Sequence, residues 1–280
     1  MHDHPTCRVV IVTHDSEATL RRCVEAVLAQ SEVALEVCIV DNASSRDPAE
    51  ALIGLDRCTL VHHARNLGFS VACNRGAADC AAEWLLFLNP DCFLEPGQLA
   101  RLIDIAIRIP QLGVLGAQLL NEDGSPQAAS LRQAPRARQF LPWVERTPLW
   151  TQPVEACPDE AVRVEAISGA LMLMRATAFR SVGGLDEGYR LHCEDLDLCK
   201  RLQLAGQAVA CATAVRVTHV KGTSSRRRPI WVEWQKHRGM WRYFGKFERA
   251  QSPAWLVIVV ALGIALRFPL AAVRAWLEGF

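Results

Sequence analysis

The stretch LLFLNPDCFLEPG, residues 85–97, decides the fold. Leu85–Leu88 is a continuous apolar run, as in strands buried on both faces of a parallel sheet. It runs straight into Asn89-Pro90-Asp91, where Pro90 helps fix a turn and a carboxylate stands just past the strand. In an open α/β sheet, ligands bind beyond the carboxyl ends of the strands, so a carboxylate there faces the crevice. What must follow from this is alternation of strand and helix on either side.

The chain supplies it. CRVVIVTH (7–14) is a second buried, β-branched strand, and Ser16 stands at the N-cap of a helix bearing Leu20, Cys23, Val24, Val27 and Leu28 at helical spacing. LEVCIV (35–40) reads as a strand ending in Asp41-Asn42-Ala43-Ser44, CTLVHH (58–63) as another, and residues 71–81 as a helix. WLLFL (84–88) is followed by a helix over Gly97–Arg108. Such alternation from residue 7 to residue 108 means βαβ units around a mostly parallel sheet, an α/β fold. LLNEDGSPQ (119–127) reads as a hairpin turn. Six prolines from Pro126 to Pro158 mark a long irregular connection, a feature more often functional than idle. Regular structure resumes with VRVEAISGALMLMR (162–175), a helix near 176–182, a loop GGLDEGYRLHCED, a helix from Leu196 to about Ala205 and strand structure near 208–219.

The bulk properties narrow the classes. A 280-residue chain of net charge +1 has no global signature of a nucleic-acid binder. Its eleven cysteines are scattered through apolar runs without a CxxC pair, which reads as reduced core thiols of a cytosolic protein. The start MHDHPTCR has no apolar stretch ahead of a cleavage site, so secretion is not expected. The C-terminus differs from the rest. Arg216–Arg249 holds ten Lys/Arg against two Glu, and five of eight tryptophans lie in the last fifty residues. Residues 254–266 (AWLVIVVALGIAL) carry no charge; as a helix they span about 20 Å, and Arg267 and Pro269 interrupt the continuation to Val273. The basic, Trp-rich approach suits peripheral attachment to an anionic membrane surface; a buried helix or dimer contact is the plainer alternative.

Three acidic points sit at strand or helix ends: Asp41, Asp91 and the pair Glu194-Asp195. Each has a bland reading, as helix cap, turn residue or first-turn charge, and His219 alone reads as a core histidine. Together they suit a hard divalent ion with oxygen ligands and one imidazole, and a second carboxylate across the crevice as general base. Neither GxxxxGK[ST] nor GxGxxG occurs, so phosphates would be held by metal and basic side chains.

The segments VVIVTHDS, CIVDNAS, RNLGFSVACNRG, LLFLNPDCFLEPG, ISGALMLMR, GGLDEGYRLHCEDLDLCKRLQLAG and VTHVKGTSS resemble, in order and spacing, the family 2 glycosyltransferases, most closely their rhamnosyltransferase-type branch. The resemblance covers about residues 7–225 and implies a GT-A fold, an inverting mechanism, a nucleotide-sugar donor (dTDP- or UDP-linked) and Mg²⁺ or Mn²⁺. It implies a GT-A domain over 1–225, with a donor half over 1–125 and an acceptor half over 126–225, followed by a basic helical tail over 226–280. By position, Asp41 matches the residue that reads the donor base, with Thr13, Arg65, Asn66 and Asn89 also on the donor side. Asp91 matches the last residue of the metal-binding DxD motif, whose first position here is Asn89, and His219 an additional metal or phosphate contact. Ser168-Gly169-Ala170 would line the acceptor side, and Glu194-Asp195 matches the acidic pair that supplies the base. The usual Tyr-Asn after the first strand is His14-Asp15, a departure at the donor base, and Asn89 leaves fewer anionic ligands.

These expectations add up to transfer of a sugar, with L-rhamnose from dTDP-L-rhamnose suggested by the branch, to a polysaccharide or lipid-linked glycan at the inner face of the cytoplasmic membrane. Asp195 is the expected base, being the shorter side chain on a helix held down by Leu196, Leu198 and Leu202; Glu194 would orient the acceptor or meet a basic residue of 226–228. A nucleotidyltransferase would carry a glycine-rich basic loop where THDSEATLRR stands, and a non-catalytic scaffold would be expected to lose the acidic pair or His219.

Overall fold

The computed structural model describes residues 4–136, 160–220 and 229–278. In chain order the first elements are β1 (Thr6–Thr13), α1 (Glu17–Leu28), β2 (Ala34–Asp41), β3 (Cys58–His62), α2 (Phe69–Ala77), β4 (Trp84–Leu88), β5 (Cys92–Phe93), α3 (Gln98–Arg108) and β6 (Leu112–Leu120). There follow β7 (Leu131–Arg132), β8 (Val162–Arg163), β9 (Ala166–Ile167), β10 (Leu171–Arg175), α4 (Ala176–Ser181), α5 (Glu194–Leu204), β11 (Ala208–His219), α6 (Pro229–Phe247) and α7 (Ala254–Glu278). The main sheet has the order β3-β2-β1-β4-β10-β6-β11-β5, with β8 on β11. Its β3-β2-β1-β4 part is parallel, antiparallel β10 joins this to a second parallel pair, β6 with β11, and β5 closes the edge antiparallel. A small separate sheet pairs β7 with β9.

Alternation along each strand divides the core in two. Val9, Ile11, Leu86, Leu88, Leu171 and Leu173 face the layer of α1 and α3, where Leu20, Val24, Leu99 and Leu102 are buried. Val10, Val12, Leu85, Phe87, Met172 and Met174 face the other layer, against Cys73, Phe179, Leu198 and Leu202. Each such side chain contributes about 1.5–3 kcal/mol on burial, which is why strands buried on both faces read as unbroken apolar runs. At Gly76 of α2 an added Cβ would lie 2.4 Å from Val10 Cγ1, so the absence of a side chain sets how closely α2 approaches the sheet.

Some boundaries differ from expectation. The helix expected over 71–81 is Phe69–Ala77; Ala78 is extended, and its carbonyl accepts a 2.6 Å bond from Arg8. The helix expected from Leu196 begins at Glu194, because Cys193 adopts φ +71° and its carbonyl accepts from Asp197 N–H. Ser16 holds the N-cap position of α1 without a side-chain capping bond, its Oγ donating instead to the His14 carbonyl. The turn after β6 forms as expected, with Asn121 N–H on the Ser125 carbonyl and a Leu120–Pro126 bridge. Of the Pro126–Pro158 connection, residues 137–159 lie outside the described residues.

The tail departs furthest. The helix continues through Arg267 and Pro269 to form 25 residues of α7. Proline removes one helical donor, and the surrounding run of strong helix formers carries the ladder past it. Leu256, Val260 and Ile264 recur every fourth residue and pack on Phe244 of α6, and Phe268 continues that row against Trp234 and His237. α6 is tied to the preceding fold by Arg242 and Lys246, both bonded to Asp186, and by Lys246 to fully buried Asp197. Burial alone would raise the Asp186 pKa, but these two cations hold it well below the ordinary range.

Candidate active site

The register of the parallel strands gathers the donor-side residues. Thr13 lies beside Asp41, and Asp41 beside His62, at the carboxyl ends of β1, β2 and β3. Thr13 is buried, and its hydroxyl makes no hydrogen bond among the described residues. Asp41 Oδ1 accepts the Ser44 N–H at 2.9 Å, and Oδ2 lies 3.2 Å from His62 Nδ1. Asn42 donates to Asn66 Oδ1 at 3.2 Å and accepts from Leu67 N–H at 2.9 Å, fixing the loop that carries Asn66. Arg65 is exposed on that loop and makes no hydrogen bond to Asp41 among the described residues. At the unusual position after β1, Asp15 accepts the Ser45 N–H at 2.7 Å, linking the first two loops of the crevice.

Asn89 joins the two halves: its N–H donates to the Ala170 carbonyl at 2.9 Å. Beyond it, β5 and β11 pair antiparallel with His219 opposite Cys92, and the Val220 N–H donates to the Asp91 carbonyl at 2.9 Å. The backbone therefore brings His219 to Asp91, Nε2 standing 3.3 Å from Oδ1. Gln127 orients the ring. Its amide nitrogen donates to the His219 carbonyl at 2.7 Å and the Leu120 carbonyl at 3.2 Å, so its oxygen faces His219 Nδ1 at 3.0 Å. Nδ1 is thus the atom held by Gln127, and Nε2 is the atom presented to Asp91, as in sites where an outer partner orients a ligand ring.

Asp91, Cys92 and His219 are close enough to form one ligand group. Burial pushes the Cys92 thiol far up, and its sulfur donates to the Ala170 carbonyl. That leaves one carboxylate and one imidazole, a hard oxygen/nitrogen set that fits Mg²⁺ or Mn²⁺ completed by substrate oxygens.

The residues expected on the acceptor side lie at β9 and α5. Ser168, Gly169 and Ala170 follow β9, with Ser168 and Ala170 buried. Asp195 Oδ2 accepts the Gly169 N–H at 3.0 Å and Arg132 Nη1 at 2.7 Å; Oδ1 accepts the Leu196 N–H at 2.8 Å. Glu194 points elsewhere. Its Oε2 makes no hydrogen bond among the described residues, and burial, reinforced by the Asp195 charge, holds its carboxyl well above the usual carboxylate range. The expected contact of Glu194 with 226–228 lies outside the described residues. Two consecutive non-glycine residues, His192 (φ +66°) and Cys193 (φ +71°), precede the acidic pair in the left-handed region. Such strain persists only where surroundings enforce it; here Gly239 of α6 sits where a Cβ would lie 3.0 Å from the His192 carbonyl.

The structure thus unites Asp91 with His219, Thr13 with Asp41, and Asp195 with Gly169. Sequence reading missed Asn42, His62, Gln127 and Arg132. Asn42 lay inside the recognised CIVDNAS segment, whereas Arg132 meets Asp195 across 63 positions and left no local pattern.

The profile for "Glycosyl transferase family 2" matches residues 8–174. The N-acetylglucosaminyl-diphospho-decaprenol L-rhamnosyltransferase of Mycobacterium tuberculosis is 31% identical over 240 residues, covering 79% of this chain and 78% of that one. Rhamnosyltransferase WbbL of Escherichia coli is 27% identical over 224 residues, 75% of this chain and 82% of its own. Among solved structures, the mannosyltransferase PcManGT from Pyrobaculum calidifontis, in complex with GDP-Man and Mn²⁺, superposes with a TM-score of 0.63 at 16% identity over 98% of this chain and 74% of that one. GalNAc-T7 with UDP, GalNAc and Mn²⁺ gives 0.60 at 16% identity, over 92% of this chain and 55% of that one. At such identity these structures establish the GT-A fold alone. The profile and the mycobacterial relative establish more: the chain is a glycosyltransferase and belongs to glycosyl transferase family 2.

Proposed function

We propose that this enzyme transfers L-rhamnose from dTDP-L-rhamnose, with inversion, to a polysaccharide or lipid-linked glycan acceptor. The observation that supports this reading is a pair of polar groups joined by one backbone bond: Asp91 with His219 lies just past Asn89, Asp195 with Gly169 lies beside Ala170, and the Asn89 N–H donates to the Ala170 carbonyl. The sugar is taken from the named activities of the mycobacterial and WbbL relatives.

Inversion needs a hydroxyl deprotonated on one face of the sugar while the diphosphate departs from the other. Asp195 accepts that proton: its carboxylate is held by Arg132 and Gly169 at the start of α5, where the helix end favours negative charge. Glu194, whose carboxyl burial holds toward the neutral form, would orient the acceptor hydroxyl. Asp91 and His219 would hold the divalent ion, which supplies positive charge against the departing diphosphate. Asp41 accepts the imide N–H of thymine or uracil, with Thr13 and Asn66 lining the same donor pocket. A second reading, Glu194 as the base, is favoured by its unpartnered Oε2 and raised pKa.

The enzyme would sit at the cytoplasmic face of the membrane. One helix, Ala254–Leu277, is long and apolar enough to cross a membrane. Its exposed stripe (Trp255, Ile258, Leu262, Leu266, Leu270, Val273) runs its length, while the opposite row packs on α6. A helix held along one side by the catalytic fold suits lying on the membrane rather than crossing it.

The test is a screen of dTDP-, UDP- and GDP-sugars for diphosphate release, with a synthetic N-acetylglucosaminyl-diphospho-prenol as acceptor, in Mn²⁺ and in EDTA. The expected result is acceptor-dependent release from dTDP-L-rhamnose that EDTA abolishes. Preference for another donor would refute the sugar assignment, and full activity in EDTA the metal.

A further inference from the structure

We propose that Arg132 is a positioning residue for the catalytic carboxylate, fixing Asp195 against Gly169 by charge as well as by geometry; this rests on the reading of Asp195 as the base. Two donors from one small sheet converge on Asp195 Oδ2. Arg132 ends β7 and pairs with Ala166 of β9, and β9 leads directly into Gly169, whose N–H is the other donor. The guanidinium is itself anchored, its Nε donating to the Ala129 carbonyl at 3.2 Å. Ser130 and Leu131, just before it, are buried, and Ser130 is tied down: the Leu119 N–H donates to Ser130 Oγ at 2.8 Å, and Ser130 Oγ donates to the Gln127 carbonyl at 2.8 Å.

The segment from Gln127 to Arg132 therefore reaches both chemical centres. At one end it orients His219 and at the other it holds Asp195. An exposed ion pair of this kind would be worth little. This one has side chains only 18% and 6% exposed, with a second donor on the same oxygen, so its geometry is enforced from both partners.

The electrostatics single out Arg132. The groups facing Asp195 are Glu194 beside it, Cys193 before it, Cys199 one turn along α5, His192 in the entering loop, and Arg132 from β7. Burial raises Glu194 and the two thiols and lowers His192 to about 4, so these groups favour their neutral forms. Among the described residues, Arg132 is the cation in direct contact with the carboxylate.

The amide of Gly169 is a reporter that needs no substrate, since its N–H lies on the titrating oxygen. Its ¹H–¹⁵N shift would be followed against pH in the full chain for wild type, Arg132→Gln, Arg132→Lys and Asp195→Asn. The expected result is a pH-dependent shift that Asp195→Asn abolishes. In Arg132→Gln its midpoint should rise by about 1 unit or more, and Arg132→Lys should restore most of the shift. Arg132→Met, apolar and of similar length, serves if the Gln variant gives no dispersed spectrum. An unmoved midpoint in folded Arg132→Gln or Arg132→Met would overturn the proposal, as would a titration that survives Asp195→Asn. The base reading stands or falls separately, on turnover by Asp195→Asn.

Discussion

Replacing Gln127 by Leu should weaken metal binding without touching a ligand. The amide is 2% exposed and makes three bonds to two neighbours: Oε1 to His219 Nδ1 at 3.0 Å, and Nε2 to the carbonyls of His219 and Leu120 at 2.7 and 3.2 Å. Leucine fills much of the space but leaves Nδ1 without its partner, so the ring is free to rotate and Nε2 no longer faces Asp91. Loss of such an outer partner costs about 10- to 100-fold in metal affinity, equivalent to about 1.4–2.7 kcal/mol. The two carbonyls lose a donor as well, at about 1–3 kcal/mol for a buried group left unsatisfied, so the melting temperature should fall too. Gln127→Glu separates these effects: it keeps an oxygen partner for Nδ1, and so most of the affinity, while losing both donated bonds and the stability they give. The assay is Mn²⁺ titration followed by electron paramagnetic resonance, with dTDP present, alongside thermal melts. An unchanged Mn²⁺ dissociation constant in folded Gln127→Leu would refute this reasoning.

Asp41→Ala should raise the donor KM more than it lowers kcat, because its proposed contact is with the base, remote from the reacting carbon; calorimetry showing unaltered dTDP affinity would count against it. Glu194→Gln should flatten the pH dependence of stability. The folded state holds the Glu194 proton above the pH at which the unfolded chain releases it, so wild-type stability falls as pH rises from the ordinary glutamate range toward the raised pKa. Melting temperatures from pH 5 to 9 should diverge toward alkaline pH, the variant melting higher, and parallel curves would show that Glu194 titrates normally. The double variant Leu262→Asp/Leu266→Asp, on the exposed face of α7, should stop co-sedimentation with vesicles of anionic phospholipid while the melt changes little. Undiminished sedimentation would remove this face from the membrane contact.

Much of the fold was legible because its strands are buried on both faces. Leu85–Leu88 and Val9–Val12 read as central strands because both of their faces are apolar, and both faces are buried in the fold. The candidate site could be named from sequence where a motif is contiguous, as at Asp41, Asp91 and Glu194-Asp195. It was not legible where tertiary structure joins distant residues. Gln127 meets His219 across 92 positions and Arg132 meets Asp195 across 63, so neither pairing has any periodicity to read. The tail was misjudged for another reason. A proline and an arginine read as the end of a helix, but the every-fourth-residue row that packs on α6 outweighs one lost backbone bond.

The central claim is that Asp195 removes the acceptor proton across the crevice from Asp91 and His219. It is tested most directly by single-turnover transfer from dTDP-L-rhamnose by Asp195→Asn, with dTDP and Mn²⁺ binding measured on the same preparation. The expected result is a loss of about 10²- to 10⁴-fold in the rate of transfer with both affinities unchanged. Near wild-type transfer by Asp195→Asn, together with collapse of transfer in Glu194→Gln at intact donor binding, would contradict it.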